Sequence, residues 1–161
     1  MLYRRYAPED FAALYAVEEV CFQPPLRFGR GLMRQLTGQS NGATWIAEEE
    51  RMCGFGIVEW TRDEAGVAAY IQTLEVVHEA RGRGVGGELL RRMEDSAKAA
   101  AAEEIGLHVN AENRAAIRLY ERCGYEERGR AAGYYGRGTT ALIYGKALRA
   151  GKTLRAAEDS G

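Results

Sequence analysis

Lysine, histidine, cysteine and proline are all scarce in this sequence, and each scarcity removes a class of function. There are two histidines, His78 and His108, and three cysteines, Cys21, Cys53 and Cys123. No CxxC pair or HExxH spacing joins them, so no metal site built from protein ligands is expected. An odd, widely spaced set of thiols suits buried free cysteines in a reducing compartment better than a disulfide frame, which implies a cytoplasmic protein. No apolar run approaches the roughly 18 residues of a membrane span, and the Met1–Tyr6 stretch is not followed by an apolar signal-peptide core. A membrane is therefore not an expected partner. Net charge is missing as well: 22 Lys and Arg against 23 Asp and Glu leave −1. A near-neutral chain lacks the broad basic field of a general nucleic-acid binder.

Against these absences stand 20 glycines, and arginine in place of lysine (19 of the 22 basic residues). Glycine in this number marks backbone with unusual dihedrals or close ligand approach. Guanidinium binds oxyanions bidentately, although arginine richness alone reflects base composition more often than phosphate binding. The 161 residues, 46% hydrophobic and 28% charged, suffice for one domain with a substantial core.

Strands and helices alternate along the chain. Strand patterns fall at 2–7, 43–49, 54–60, 66–77, 104–110, 125–132 and 140–147. A helix opens at Pro8, a looser one covers 29–37, and another runs from 113 to 123. The clearest helix spans 84–102, with Leu89, Leu90, Met93 and Ala97 on one face. The expected fold is a single α/β domain over 1–148, a mixed central sheet of six to seven strands with flanking helices. Residues 149–161 read as a polar, mobile tail.

Between the strand at 66–77 and the helix at 84 lies Arg81-Gly82-Arg83-Gly84-Val85-Gly86-Gly87. Glycines at a helix N-terminus let backbone amides approach a pyrophosphate, with helix-dipole support. Gly82, Gly84 and Gly87 formally spell GxGxxG, the dinucleotide fingerprint. However, His78-Glu79-Ala80-Arg81 separates them from the strand, where that fingerprint sits directly at the strand end. The only GKT, at 151–153, lacks the upstream glycine of a Walker loop. Arg81, Gly84 and Gly86 satisfy a third pattern, [QR]-x-x-G-x-[GA]. Downstream comes Asn113-Arg-Ala-Ala-Ile-Arg-Leu-Tyr120-Glu-Arg-Cys-Gly-Tyr125.

These two segments resemble the coenzyme A loop and the N-x-x-A-x-x-L-Y-x-x-x-G-[FY] segment of the GNAT superfamily of acetyl-CoA-dependent N-acetyltransferases, over about residues 66–147. The resemblance implies acetyl-CoA as co-substrate and direct attack of an amine on the thioester, with no metal. By resemblance, backbone amides of Leu74, Glu75 and Val76 polarise the thioester carbonyl. Arg81, Gly82, Arg83, Gly84, Val85, Gly86 and Gly87 hold the pyrophosphate, and Asn113 contacts the pantetheine or caps its helix. Tyr120 protonates the departing thiolate.

For the base, His108 lies on the strand face opposite Ile105, Leu107 and Val109. Imidazole suits proton removal from an amine at neutral pH. RimI-type enzymes, which acetylate a ribosomal-protein N-terminus, carry glutamate there. A eukaryotic class acting on Met-initiated N-termini has the same Leu-His-Val, paired with a tyrosine in a Tyr-Ile-x-Thr-Leu strand that Tyr70–Leu74 resembles. His108 with Tyr70, through a water, is the expected base; His78 reads as exposed. Tyr134 and Tyr135 resemble the tyrosine-pair hairpin that closes over a peptide, and Phe22, Pro24 and Pro25 resemble the loop bordering its first residue. Here an extra Gln23 intervenes, and Thr139-Thr140 replaces the usual acid before Ala141. Arg114, Arg118 and Arg122 form a basic stripe read as a solvated face.

The expected acceptor is a protein or peptide N-terminal amine, RimI-like, a ribosomal protein included. The alternative is a small-molecule amine such as a polyamine, amino acid or aminoglycoside. From other classes remain a non-catalytic coenzyme A sensor and an NAD-dependent oxidoreductase. Either a monomer or a homodimer is compatible with the sequence.

Overall fold

The computed structural model describes residues 1–148; the tail expected at 149–161 lies outside the described residues. The elements are β1 (Leu2–Arg5), α1 (Phe11–Cys21), α2 (Arg30–Thr37), β2 (Gly42–Glu48), β3 (Met52–Asp63), β4 (Gly66–Val76), α3 (Val85–Ala99), β5 (Glu104–Asn110), α4 (Arg114–Arg122), β6 (Glu126–Ala132) and β7 (Thr140–Ala147). The seven strands follow the order β1-β2-β3-β4-β5-β7-β6, which bears out the mixed α/β sheet. The fold divides into two compact units: Met1–Glu59 with Ile71–Ser96, and Trp60–Tyr70 with the chain from Ala97 on.

In the first unit β1, β2 and β3 pair antiparallel, for example Tyr3↔Ala47 and Ala43↔Val58. Residues Met52–Val58 of β3 are buried without alternation, as in a strand covered on both faces. α1 presents Phe11, Leu14, Tyr15 and Val17 to a core completed by Met33, Leu36, Ile46, Phe55 and Ile57. Each such side chain contributes about 1.5–3 kcal/mol by leaving water. The helix expected from Pro8 begins instead at Phe11, after a 3-10 turn at Pro8–Asp10. The Asp10 carboxylate accepts from the Ala7 amide (2.8 Å) and pairs with Arg4, which holds the tighter turn in place. α3 buries Val85, Leu89, Leu90 and Met93.

In the second unit β4 and β5 pair in parallel from Ala68↔Glu104 to Tyr70↔Gly106, while β7 lies antiparallel to both β5 and β6. β5 buries Ile105, Leu107 and Val109 and turns His108 to the other face, as its alternation predicts. α3 ends at Ala99, short of the expected 102, because Ala101 takes a positive φ of 69° and the Ala102 amide turns back to the Ala97 carbonyl (2.9 Å). None of the three cysteines is in a disulfide, but only Cys53 is buried; Cys21 and Cys123 are half-buried. Among the described residues no helix is long and apolar enough to cross a membrane.

Candidate active site

The glycine loop of the first unit has the geometry of an anion cradle. β4 ends at Val76, a 3-10 turn at His78–Ala80 follows, and the glycines come only then. The dinucleotide fingerprint therefore fails on spacing, and the GNAT-like pattern keeps its register. Gly82 and Gly84 have φ of +77° and +80°, and a Cβ on either would meet nothing within 4 Å. Glycine is needed there for backbone conformation, not for packing. The first bond inside α3 runs from the Glu88 amide to the Gly84 carbonyl (3.1 Å), so the amides of Val85, Gly86 and Gly87 precede it. Such amides, with the positive end of the helix dipole, suit a phosphate.

Arg81 and Arg83 are exposed at this loop, but both have protein partners. Arg81 Nε donates to the Val76 carbonyl (3.0 Å), and Arg83 pairs with Glu49 (2.8 Å). Glu49 offsets part of the charge that the sequence assigns to the pyrophosphate. His78 is exposed, as expected.

The strand Leu74-Glu75-Val76 is fixed by close neighbours within the same unit. A Cβ on Gly54 would lie 2.5 Å from the Glu75 carbonyl oxygen, so only glycine allows β3 this near. Beyond it, the Val77 amide donates to the Cys53 carbonyl (2.9 Å). Leu74 turns toward α3 near Met93; Glu75 points inward, 4% exposed. Its carboxyl meets that of Glu18 on α1, and burial with this neighbour pushes Glu75 up to about 10. The loop after α1 carries Phe22, half-buried, with Pro24 and Pro25 exposed. Arg27 Nε closes it on the Phe22 carbonyl (3.0 Å).

The second unit brings Tyr70, His108 and Tyr134 together. Tyr70 Oη lies 2.8 Å from His108 Nδ1. The imidazole stacks on Tyr134, with centroids 4.3 Å apart and planes within 8°. Burial lowers the His108 pKa from its ordinary 6.5, favouring the neutral, proton-accepting form. Tyr135 stands edge-on to Tyr134 (4.9 Å), and burial raises its phenol to about 12. Thr139 holds this hairpin: its hydroxyl accepts from the Tyr135 amide (3.1 Å) and its carbonyl from Gly133 (2.7 Å). Thr139, one of the two threonines preceding Ala141, thus supports the tyrosine pair.

Tyr120 is 6% exposed, and burial drives its hydroxyl above the ordinary phenol range, so it stays protonated across working pH. Asn113 Oδ1 accepts from the Ala116 amide (3.2 Å), which makes it the N-cap of α4, the plainer of its two expected roles. Arg114, Arg118 and Arg122 are exposed, as a solvated face should be.

Three features had escaped the sequence reading: Glu18, the glycine contact at Gly54, and the stacking of Tyr134 on His108. Glu18 had a signal, since it falls on the apolar stripe of α1 with Leu14, Val17 and Cys21. A charge there needs a partner.

The glycine-rich start of α3, the Tyr70–His108 hydrogen bond and the buried Tyr120 phenol are each features that the GNAT resemblance leads one to expect. The model of the acetyltransferase (GNAT) family matches residues 10–125, most of the 161-residue chain. The chain belongs to that family. It is 39% identical over 75 residues to N-alpha-acetyltransferase 30 of Schizosaccharomyces pombe, a match covering 47% of this chain and 50% of that protein. The chain thus spans about half the length of that curated relative. It is 28% identical over 147 residues to an uncharacterized N-acetyltransferase of Methanocaldococcus jannaschii, 89% of each chain. Among solved structures, the ribosomal-protein-S18-alanine N-acetyltransferase of Escherichia coli superposes with a TM-score of 0.78 at 21% identity, covering 91% of this chain and 93% of that one. NAA60 of Arabidopsis thaliana bound to acetyl-CoA gives 0.80 at 22%, covering 92% and 98%. These structural likenesses establish the fold.

Proposed function

We propose that the chain moves the acetyl group of acetyl-CoA to a protein or peptide N-terminal α-amine, as a RimI-like enzyme. The observation that carries this reading is the Tyr70–His108–Tyr134 cluster, with its 2.8 Å hydrogen bond and 4.3 Å stack. An α-amine titrates near 7.7–8.0, so a base with a pKa below 6.5 can accept its proton, while a lysine amine near 10.4 resists. In the tautomer with Nδ1 bare, Tyr70 donates to the imidazole, and a proton taken up at the phenol oxygen passes on to Nδ1. In the other tautomer the bare Nε2 accepts directly.

The amine then attacks the thioester carbonyl, polarised by amides of Leu74–Val76, which lie beyond the β4–β5 register ending at Tyr70. Tyr120 gives its proton to the departing thiolate. The Gly82–Gly87 amides hold the pyrophosphate, with Arg81 and Arg83 at their side. Phe22, Pro24 and Pro25 border the first acceptor residue, and Tyr134 and Tyr135 supply ring surface and hydroxyls to the peptide. The named S. pombe relative, an N-alpha-acetyltransferase, and the S18-alanine enzyme of the E. coli structure support this acceptor class.

The test is kcat/KM with acetyl-CoA over a panel of peptides, spermidine, free amino acids and an aminoglycoside. Peptides are expected to exceed every small amine by at least tenfold. Preference for spermidine or an aminoglycoside would replace the acceptor, and the absence of any transfer would leave a coenzyme A sensor.

A further inference from the structure

Two acids that the transfer chemistry leaves unused meet in the core of the first unit. Glu18 on α1 is 1% exposed and Glu75 on β4 is 4% exposed. Each has one oxygen satisfied by a neutral donor. Glu18 Oε2 accepts from the Phe28 amide (2.9 Å), and Glu75 Oε2 from the Thr73 hydroxyl (2.7 Å). The other two oxygens, Glu18 Oε1 and Glu75 Oε1, are fully buried and receive no N–H or hydroxyl hydrogen from the described residues. A hydrogen shared between the two carboxyls would satisfy both, and the Glu18 carboxyl is among the neighbours that raise the Glu75 pKa.

The charged and titratable groups around the pair are few. Cys21, one turn further along α1, points its Sγ at the Val76 carbonyl (3.8 Å). Arg81 donates to the same carbonyl (3.0 Å) and interacts with Cys21. Two adjacent carboxylates stripped of water cannot both ionise unless a cation sits on them, and Arg81 is engaged at the carbonyl. One proton stays.

We propose that Glu18 and Glu75 share a single proton and that this acid–carboxylate pair is a positioning clamp for acetyl transfer. It joins three segments: α1 through Glu18, the strand Leu74–Val76 through Glu75, and the loop following Phe22 through the Phe28 amide. An O–H···O⁻ bond is short and charge-assisted, so it fixes position better than a neutral contact. Gly54 approaches the same strand closely at the Glu75 carbonyl. The clamp thereby sets the direction of the Leu74–Val76 amides and the seat of the Phe22 loop. What those segments do rests on the proposed function; the shared proton does not.

The test has two arms. The first measures unfolding free energy from pH 5 to pH 9 for the wild type, Glu18→Gln and Glu75→Gln. Folding holds a proton that the unfolded chain releases above the ordinary carboxylate range, so the pair's contribution is full below about pH 4.5 and declines as pH rises toward 10. One proton corresponds to a slope of about 1.4 kcal/mol per pH unit, which the glutamine variants should lose. Equal slopes in all three proteins would overturn the shared proton.

The second arm measures kcat with the best acceptor. Glu18→Ala should lower it about 10- to 100-fold through misplaced reactants, and Glu18→Gln should recover most of that loss. An unchanged rate in Glu18→Ala, or no recovery in Glu18→Gln, would overturn the clamp. Should Glu18→Ala not fold, Glu18→Asp, which shortens the side chain but keeps its acid, takes its place with the same expected loss. If the wild type transfers acetyl to no amine, the proposed function fails while the first arm still decides the proton.

Discussion

Removing one hydroxyl tests the base most sharply. Tyr70→Phe deletes the 2.8 Å contact to His108 Nδ1 but leaves the ring, and the imidazole keeps its 4.3 Å stack on Tyr134. If the hydroxyl merely orients the imidazole, the loss is one hydrogen bond, about 0.5–1.5 kcal/mol, or about 2- to 13-fold in kcat/KM. If it relays the proton, the loss reaches the scale of general-base catalysis, about 10²–10⁴-fold. The relay predicts the larger figure, and predicts that Tyr70→Phe with His108→Ala together cost no more than the worse single variant.

The assay is kcat/KM across pH 5–9 with a peptide acceptor. The wild-type acid limb should bend below 6.5, where burial places His108, and disappear in His108→Ala. The same lowered value means that the histidine's contribution to stability is full above about pH 6.5 and is lost as pH falls through the folded value. A Tyr70→Phe loss below 13-fold with an unaltered profile would refute the relay. Losses that multiply in the double variant would refute the single unit.

Three further outcomes follow from the geometry. Tyr120→Phe should lower kcat about 10²-fold while acetyl-CoA affinity, read by calorimetry, changes less than about threefold, because the role proposed for the phenol is to protonate the leaving thiolate. Gly84→Ala places a side chain at φ +80° in open space, so the cost is backbone strain of about 1–2 kcal/mol without a clash. Acetyl-CoA should bind more weakly, and unaltered affinity would remove the loop from the pyrophosphate site. Gly54→Ala forces a Cβ to 2.5 Å from the Glu75 carbonyl oxygen. The overpacking should cost about 1–3 kcal/mol, seen as a fall in Tm of about 2–4 °C per kcal/mol.

Local patterns were readable where one face is buried and the other is wet. α3 shows this with Leu89, Leu90, Met93 and Ala97, all buried as their spacing requires, and β5 with His108 opposite Leu107 and Val109. The ends of β3 were not readable. Met52 and Cys53 belong to a run buried on both faces, and Thr61–Asp63 are polar and exposed, so neither shows the period-two signal. The β5-β7-β6 order depends on pairings between distant segments, which no local period encodes.

Tyr70, His108 and Tyr120 were singled out through resemblance to the family's motifs, and the structure brings the first two within 2.8 Å of each other. The stacking of Tyr134 on His108 was not legible, since it depends on how the hairpin held by Thr139 folds back. Glu18 and Glu75 stand 57 positions apart (75 minus 18), and only tertiary packing makes them neighbours.

The central claim is transfer to a free α-amine. The most direct measurement incubates the protein with acetyl-CoA and one peptide carrying both a free N-terminus and an internal lysine, beside the same peptide with its N-terminus blocked. Fragmentation mass spectrometry then locates the acetyl group. The account predicts a single acetyl on the N-terminal nitrogen of the first peptide and none on the second. Acetylated lysine in both peptides, with the α-amine untouched, would contradict it.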